Sequence, residues 1–497
     1  MRRVFERFGP KGLEVVYVGP FETPESCREW KEEYDLTFPV VPDPDGTLFR
    51  RLTSGWVPWS ILVAPGGEVL FSENEFDEAG FSAAIAQVVD RRGEAAPPVP
   101  TPESPAPAAQ RPRGPGASIV ILGGGVGGVV AAHALRRRLG KRHHIVVVDR
   151  APQHLFASPL LWLMTGDRRE HQIRRPLERL RRKEIDFVQD EVLAIDLAGR
   201  SVRIGQGRLD FDYLVVALGA RTDADSVPGF SEMAHDLYGL EGCHGIREAL
   251  EEFDGGRVGV LVTSMPFKCP AAPYEAALLV DSHLRRRGLR ARTEIDVYTP
   301  EHQPMPVADA KLGGAVTELL RARGIGYHPL FTFEEMRPGT REIVAADGRA
   351  ERVDLLIAVP PHRAPEVLAS SGLLGVSGWI HVDPETLRTQ HDGVYAIGDV
   401  TTIKLPSGKP LPMAGVFAHD EAEVVASRIA DELRGRAPRA RFGGRGYCWI
   451  ETGDGRAGFA AGSFFADPEP TIRLARPGRF WHWGKVAFEK WWLWRWF

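Results

Sequence analysis

The sequence predicts an α/β protein with two three-layer units, preceded by a smaller α/β domain. Three observations predict it. A continuous apolar run, Ser118-Ile119-Val120-Ile121-Leu122, passes directly into a glycine turn and a helix, as a buried parallel strand does. A similar run, Val258 to Val262, lies inside a second α/β stretch over residues 236–354. Between the small domain and these units lie residues 93–116, GEAAPPVPTPESPAPAAQRPRGPG, which have no large apolar residue to bury and read as a semi-rigid tether. The 497 residues exceed one ordinary core. The expected organisation is a domain over 1–92, the linker, a unit over 117–235 that resumes over 355–435, an inserted unit over 236–354, and a C-terminal region over 436–497.

The first 92 residues give strands at Leu13–Val18, Phe38–Val41, Ser60–Val63 and Glu68–Phe71, the last two joined by Ala64-Pro65-Gly66-Gly67. Helices are expected over Ser26–Tyr34 and Phe76–Val89, and Val57-Pro58 precedes the hairpin. This order resembles the later part of a thioredoxin fold, whose cis-proline stands at that place. A thioredoxin-like domain needs a C-x-x-C pair, and this stretch has none. The resemblance therefore implies a truncated domain whose first strand and redox pair are missing. Cys27, alone on its helix, is expected to be an inert buried thiol.

After Leu122 comes Gly123-Gly124-Gly125-Val126-Gly127-Gly128, then a helix to Leu139. Gly123, Gly125 and Gly128 fit G-x-G-x-x-G: the first for a tight turn, the second for backbone approach to a pyrophosphate, the third for helix packing on the strand. The pyrophosphate would sit at the helix N-terminus, beside Val126 and Gly127. The next strand, Ile145–Val148, ends in Asp149-Arg150, and Asp149 lies 21 residues past Gly128, where ribose hydroxyls need an acceptor. Asp212-Tyr213-Leu214-Val215-Val216-Ala217-Leu218-Gly219-Ala220 and Gly393-Val394-Tyr395-Ala396-Ile397-Gly398-Asp399 resemble the two later signatures of two-domain flavoproteins. That resemblance implies FAD in a Rossmann-like domain. It places Ala217, Gly219 and Gly398 close to the cofactor and Asp399 on its ribityl chain.

The inserted unit is Rossmann-like but vestigial for NAD(P). Its strand Val258–Val262 runs into Thr263-Ser264-Met265-Pro266-Phe267-Lys268-Cys269-Pro270, where prolines and bulky side chains replace a second glycine fingerprint. Cys269 instead precedes an apolar helix with proline in its first turn. A thiol there, beside Lys268, is expected to have its thiolate favoured and to act as a nucleophile. Cys269-Pro270-Ala271-Ala272-Pro273-Tyr274-Glu275 resembles the redox-cysteine segment of sulfide:quinone oxidoreductases and flavocytochrome sulfide dehydrogenases, and the resemblance spans about residues 117–497. It implies a small-molecule sulfur donor, FAD, and a membrane quinone as acceptor. The pattern breaks at the family's second cysteine, where Ile380 stands. Cys243 matches no redox site, and Cys448 is the remaining candidate partner. Met413 stands where relatives often carry lysine. His362, after the flavin-side proline pair Pro360-Pro361, reads as a hydrated loop histidine.

A formal net charge of −4 gives no reason to expect nucleic-acid binding, and the four widely spaced cysteines form neither a disulfide framework nor a metal-site pattern. Arg168–Lys183 reads as a solvated helix face. The start lacks a secretory signal and no run is long enough to span a bilayer, so the expectation is a cytoplasmic protein at the inner face of a membrane. Six of the twelve tryptophans lie between Trp481 and Trp496 among basic residues, pointing to peripheral lipid contact. Their helical projection shows no clean apolar face, so a tail packed on the body or across a homodimer interface is the competing reading. The functional rivals are a flavin-dependent thiol/disulfide oxidoreductase coupled to the thioredoxin-like module, and a non-catalytic flavin-binding subunit.

Overall fold

The computed structural model describes residues 116–497 continuously, and before them only residues 17–20, 27, 28, 31, 40–43, 60–63, 69–73 and 85. The chain divides into two compact units, Met1–Ala108 and Ala109–Phe497. In the first, β1 (Tyr17–Pro20) pairs in parallel with β2 (Val40–Asp43), and β3 (Ser60–Val63) pairs antiparallel with β4 (Val69–Glu73). Cys27 is buried. Val57-Pro58, the turn at 64–67 and most of both expected helices lie outside the described residues.

The second unit opens with β5 (Ser118–Leu122), α1 (Val126–Leu139), β6 (His144–Asp149), β7 (Asp186–Gln189) and β8 (Tyr213–Val216). The insert contributes β9 (Ala234–Asp236), α2 (Leu240–Glu252), β10 (Gly256–Val262), α3 (Ala272–Arg286), β11 (Thr293–Tyr298), β12 (Gly326–His328) and β13 (Leu355–Val359). The chain then returns through β14 (Val394–Ala396) and α4 (Gly415–Leu433). It closes with β15 (Arg445–Gly453), β16 (Arg456–Ser463), β17 (Thr471–Gly478) and α5 (Arg479–Trp496).

Two five-stranded parallel sheets result, in the orders β14-β8-β5-β6-β7 and β9-β13-β10-β11-β12. Alternate residues of β5 feed the two faces of the first sheet. Ile119 and Ile121 pack with α1 and α4 residues, while Val120 and Leu122 join Val202, Phe211 and Ile380 on the other side. With both faces covered the strand is apolar throughout, each buried side chain contributing about 1.5–3 kcal/mol.

Two expectations shift. Leu355–Val359, assigned from sequence to the returning segment, is a central strand of the insert's sheet, so the crossing back falls after Val359. Arg168–Lys183 is not one solvated helix. A short helix (Glu170–Ile173), an extended piece (Arg174–Pro176) and a 3-10 turn (Leu177–Lys183) share it, because Pro176 cannot continue a helix. Arg168, at its start, forks onto the buried carboxylate of Glu489 at 2.8–3.1 Å.

The C-terminal residues form a built layer: an antiparallel sheet β15-β16-β17 with α5 against it. At 100° per residue, Phe480, Trp483, Trp491 and Trp494 fall within about an 80° arc of α5. These four side chains are exposed, from 46% at Trp491 to 77% at Trp494. The opposite face, Lys485, Glu489, Trp492, Leu493 and Trp496, is buried. The projection reads as unclean from sequence because indoles and charges fall on both faces: Lys485, Glu489, Trp492 and Trp496 inside, Trp483, Lys490, Trp491 and Trp494 outside. Among the described residues no helix is long and apolar enough to cross a membrane.

Candidate active site

The ends of β5, β8 and β14 lie side by side, so Gly123, Ala217 and Gly398 meet at the carboxyl edge of the first sheet, where open α/β folds bind ligands. Gly123 adopts φ +106°, and a Cβ there would strike the Ala217 carbonyl. A Cβ on Gly128 would strike the Gly123 carbonyl, and one on Gly127 would press on Ile397. Gly125 and Gly219, by contrast, face open space. Gly125 is the N-cap of α1, and Val126, Gly127 and Gly128 form its first turn, so unpaired N–H groups border that space. This cradle fits a dinucleotide pyrophosphate: two glycines allow tight backbone contact and two leave room.

Asp149 ends β6 and accepts from the Gly124 N–H at 2.6 Å and the Ala151 N–H at 2.8 Å. The carboxylate thus ties the glycine loop to the next strand and keeps lone pairs for ribose hydroxyls. Arg150 is exposed beside it. Gly398, at φ +74°, donates its N–H to Glu421 of α4 at 2.6 Å. Burial raises the pKa of Asp399, with Lys268 opposing, and holds Glu421 at about 7. Glu421 escaped the sequence reading; the signal was an acid on the helix face that also carries Phe417, Ala418, Ala422 and Val425. A small cavity here is lined by Gly398, Thr401, Met413, Ala414, Phe417 and Glu421.

Cys269 lies where the insert touches this edge. Its N–H donates to the Met413 carbonyl at 2.7 Å, and its own carbonyl accepts from Tyr238 Oη at 3.2 Å and the Ala272 N–H at 2.9 Å. The expected thiolate preference is reversed. Burial first and the Glu275 carboxylate second push the thiol up to about 12, against Lys485 and the Ala272 N–H. Lys268 lies 5.6 Å from the Tyr238 ring and acts on Asp236, Asp399 and His362.

His362 is not hydrated. It is 3% exposed, with Nδ1 2.9 Å from the Pro360 carbonyl and its ring edge-on to Tyr238 at 5.1 Å. Burial and Lys268 lower its pKa to about 3, so it is neutral, and Nε2 has no protein partner. Ile380, where the family's second cysteine would stand, is wholly buried and paired with Thr401. Cys243 is buried inside α2, and burial pushes its thiol to about 12. Cys448 is on β15, its Sγ 3.4 Å from the Trp449 carbonyl.

The fold and cradle define a two-dinucleotide-domain oxidoreductase. Residues 117–422 match the pyridine nucleotide-disulphide oxidoreductase family, to which the chain belongs, and its cofactor is FAD. The chain is 26% identical over 370 residues to the mitochondrial sulfide:quinone oxidoreductase of Mus musculus, covering 71% of this chain and 80% of that protein. It is 32% identical over 345 residues to the demethylphylloquinone reductase NdbB of a Synechocystis strain, covering 64% and 80%. The crystal structure of the Aquifex aeolicus sulfide:quinone oxidoreductase superposes with a TM-score of 0.69 at 24% identity, covering 76% of this chain and 91% of that one.

Proposed function

We propose that the protein oxidises sulfide or a related reduced sulfur compound through Cys269 and passes the electrons through FAD to a quinone. The supporting observation is the position of Cys269, whose N–H is held by the carbonyl of Met413, a residue that lines the cavity together with Gly398. FAD, when bound, supplies a two-electron acceptor. The N–H groups at the start of α1 would hold its pyrophosphate, Asp149 its ribose and Asp399 its ribityl chain. The start of α4 would favour negative charge on the reduced ring. Cys269 would be the nucleophile once its thiol gives up the proton that burial favours. The names of the mouse and Synechocystis relatives both carry a quinone, which supports the choice of acceptor.

The exposed Phe480, Trp483, Trp491 and Trp494 lie on one side of α5, with Arg479, Lys490 and Arg495 on the same helix. Indoles favour the headgroup boundary and basic residues an anionic leaflet such as the cytoplasmic one. We read this face as a peripheral lipid contact through which the protein meets a lipid-soluble quinone.

The test is anaerobic addition of sulfide to wild-type protein and Cys269→Ser, following the visible flavin band. Bleaching in the wild type, absent in the variant and reversed by quinone, is expected. An oxidised flavin untouched by sulfide in both proteins would refute the reading.

A further inference from the structure

Helix α3 and strand β15 run side by side in the same direction. Glu275 Oε1 accepts from the Glu451 N–H at 2.9 Å, and one step on, Ser282 Oγ bonds Asp454 at 2.9 Å through both its N–H and its carboxylate. The spacing agrees, because seven helical residues rise about 10.5 Å and three strand residues about 10 Å. Followed back from Glu275 and Glu451, three strand residues lead to Cys448. On the other side, three helical residues and the turn closed by the Ala272 N–H on the Cys269 carbonyl lead to Cys269. A second anchor lies beyond them. Gly446, on the same face of β15 as Cys448, abuts the Phe417 ring, and Phe417 lies four residues after Met413, whose carbonyl holds the Cys269 N–H. Both cysteines pack against the same apolar cluster.

We propose that Cys448 is the redox partner of Cys269, the two sulfurs forming a bridge that the sulfur substrate opens. The proposal rests on the reading of the protein as a sulfur-oxidising flavoenzyme. Cys269 opposes ionisation of Cys448, and the same pair of charges acts on both: Glu275 opposes ionisation and Lys485 favours it. Burial that penalises two thiolates does not penalise an uncharged bridge. Closing the bridge removes two electrons and two protons from the thiols, and the oxidised flavin accepts them. Hydrosulfide then attacks one bridging sulfur. A new S–S bond forms and the old one breaks, leaving a persulfide on one cysteine and a thiolate on the other, which takes up a proton. Transfer of the outer sulfur to a second thiol or hydrosulfide restores both thiols. Ile380 has no part in this cycle.

The experiment maps disulfides on the flavin-loaded protein. Wild type is oxidised with a thiol oxidant, alkylated, digested and analysed by mass spectrometry. In parallel, sulfide-driven bleaching is timed for wild type, Cys448→Ser and the control Cys243→Ala. A peptide joining Cys269 to Cys448 is expected, with bleaching slowed about tenfold or more in Cys448→Ser and unchanged in Cys243→Ala. The mapping needs no variant, so misfolding of Cys448→Ser cannot hide the answer. If the peptide forms but sulfide bleaches no flavin, the pair stands and the sulfide reading falls. If Cys448→Ser bleaches at the wild-type rate, the pair is overturned and the sulfide reading survives.

Discussion

Lys485 of α5 donates to Glu275 of α3 at 2.9 Å, with both side chains buried. This contact fastens the last helix to the helix that follows Cys269. Trp162 lies 5.1 Å from the ammonium, and Glu451, one strand away, is 3.0 Å from His482.

Lys485→Met leaves Glu275 buried without its ammonium and should destabilise the fold by about 3–5 kcal/mol. Adding Glu275→Met should restore most of the loss, since the pair is then replaced by apolar volume. Chemical denaturation of the three proteins decides it. Equal loss in the single and double variants would show that the charge pair is not the cause.

Gly125→Val and Gly128→Val should fail differently. Position 125 faces open space, so its variant should fold with wild-type circular dichroism yet lose its yellow cofactor. Position 128 has the Gly123 carbonyl in the way, so its variant should lose thermal stability as well. A yellow Gly125→Val protein would remove the pyrophosphate from this cradle.

Glu421 keeps its proton to about pH 7 in the fold, while an unfolded glutamate loses it near 4.5. Between those values the unfolded chain has released a proton that the folded chain keeps, so stability declines as pH rises and the decline is complete above about 7. Glu421→Gln carries no such proton and should show a shallower fall in Tm from pH 4.5 to 7. Identical slopes for both proteins would count against the assignment.

Cys269, held near 12, should react slowly with iodoacetamide at pH 8, and its rate should still be climbing at pH 10. An exposed cysteine levels off near pH 9. A plateau at that pH in peptide-resolved alkylation would mean the thiol is not desolvated as described.

Replacing Phe480, Trp491 and Trp494 by serine should abolish flotation with anionic vesicles and leave turnover with a water-soluble quinone intact. Unchanged flotation would leave the exposed stripe without a lipid role.

The cofactor cradle was legible in the sequence because each part is local. An apolar run, three spaced glycines and an acid at the next strand's end are all determined within 32 residues, from Ser118 to Asp149. The charge state of Cys269 was not legible. Its neighbour Lys268 is visible in the sequence, but the burial and the Lys485 ammonium that act on the thiol come from distant segments. The Lys485–Glu275 pair, 210 residues apart, leaves no local trace. His362 misled in the same way: a histidine after two prolines looks like loop, and only the packing of Tyr238 shows it to be interior. The tail misled because α5 buries Lys485 and Glu489 while exposing Trp483, Trp491 and Trp494, and charged residues on a helix are ordinarily taken as its wet face.

Helix α5 also reaches the glycine loop. Trp492 stacks on Phe156 and on His154, whose Nδ1 lies 2.8 Å from the Gly124 carbonyl, and Trp496 meets His133 of α1. One rigid rod therefore carries the indole stripe on its outside and braces the cofactor turn with its inside. Adsorption through the stripe would fix the tilt of the flavin cavity relative to the lipid plane. A hydrophobic acceptor would then find the cavity by lateral diffusion in two dimensions rather than by search through bulk water.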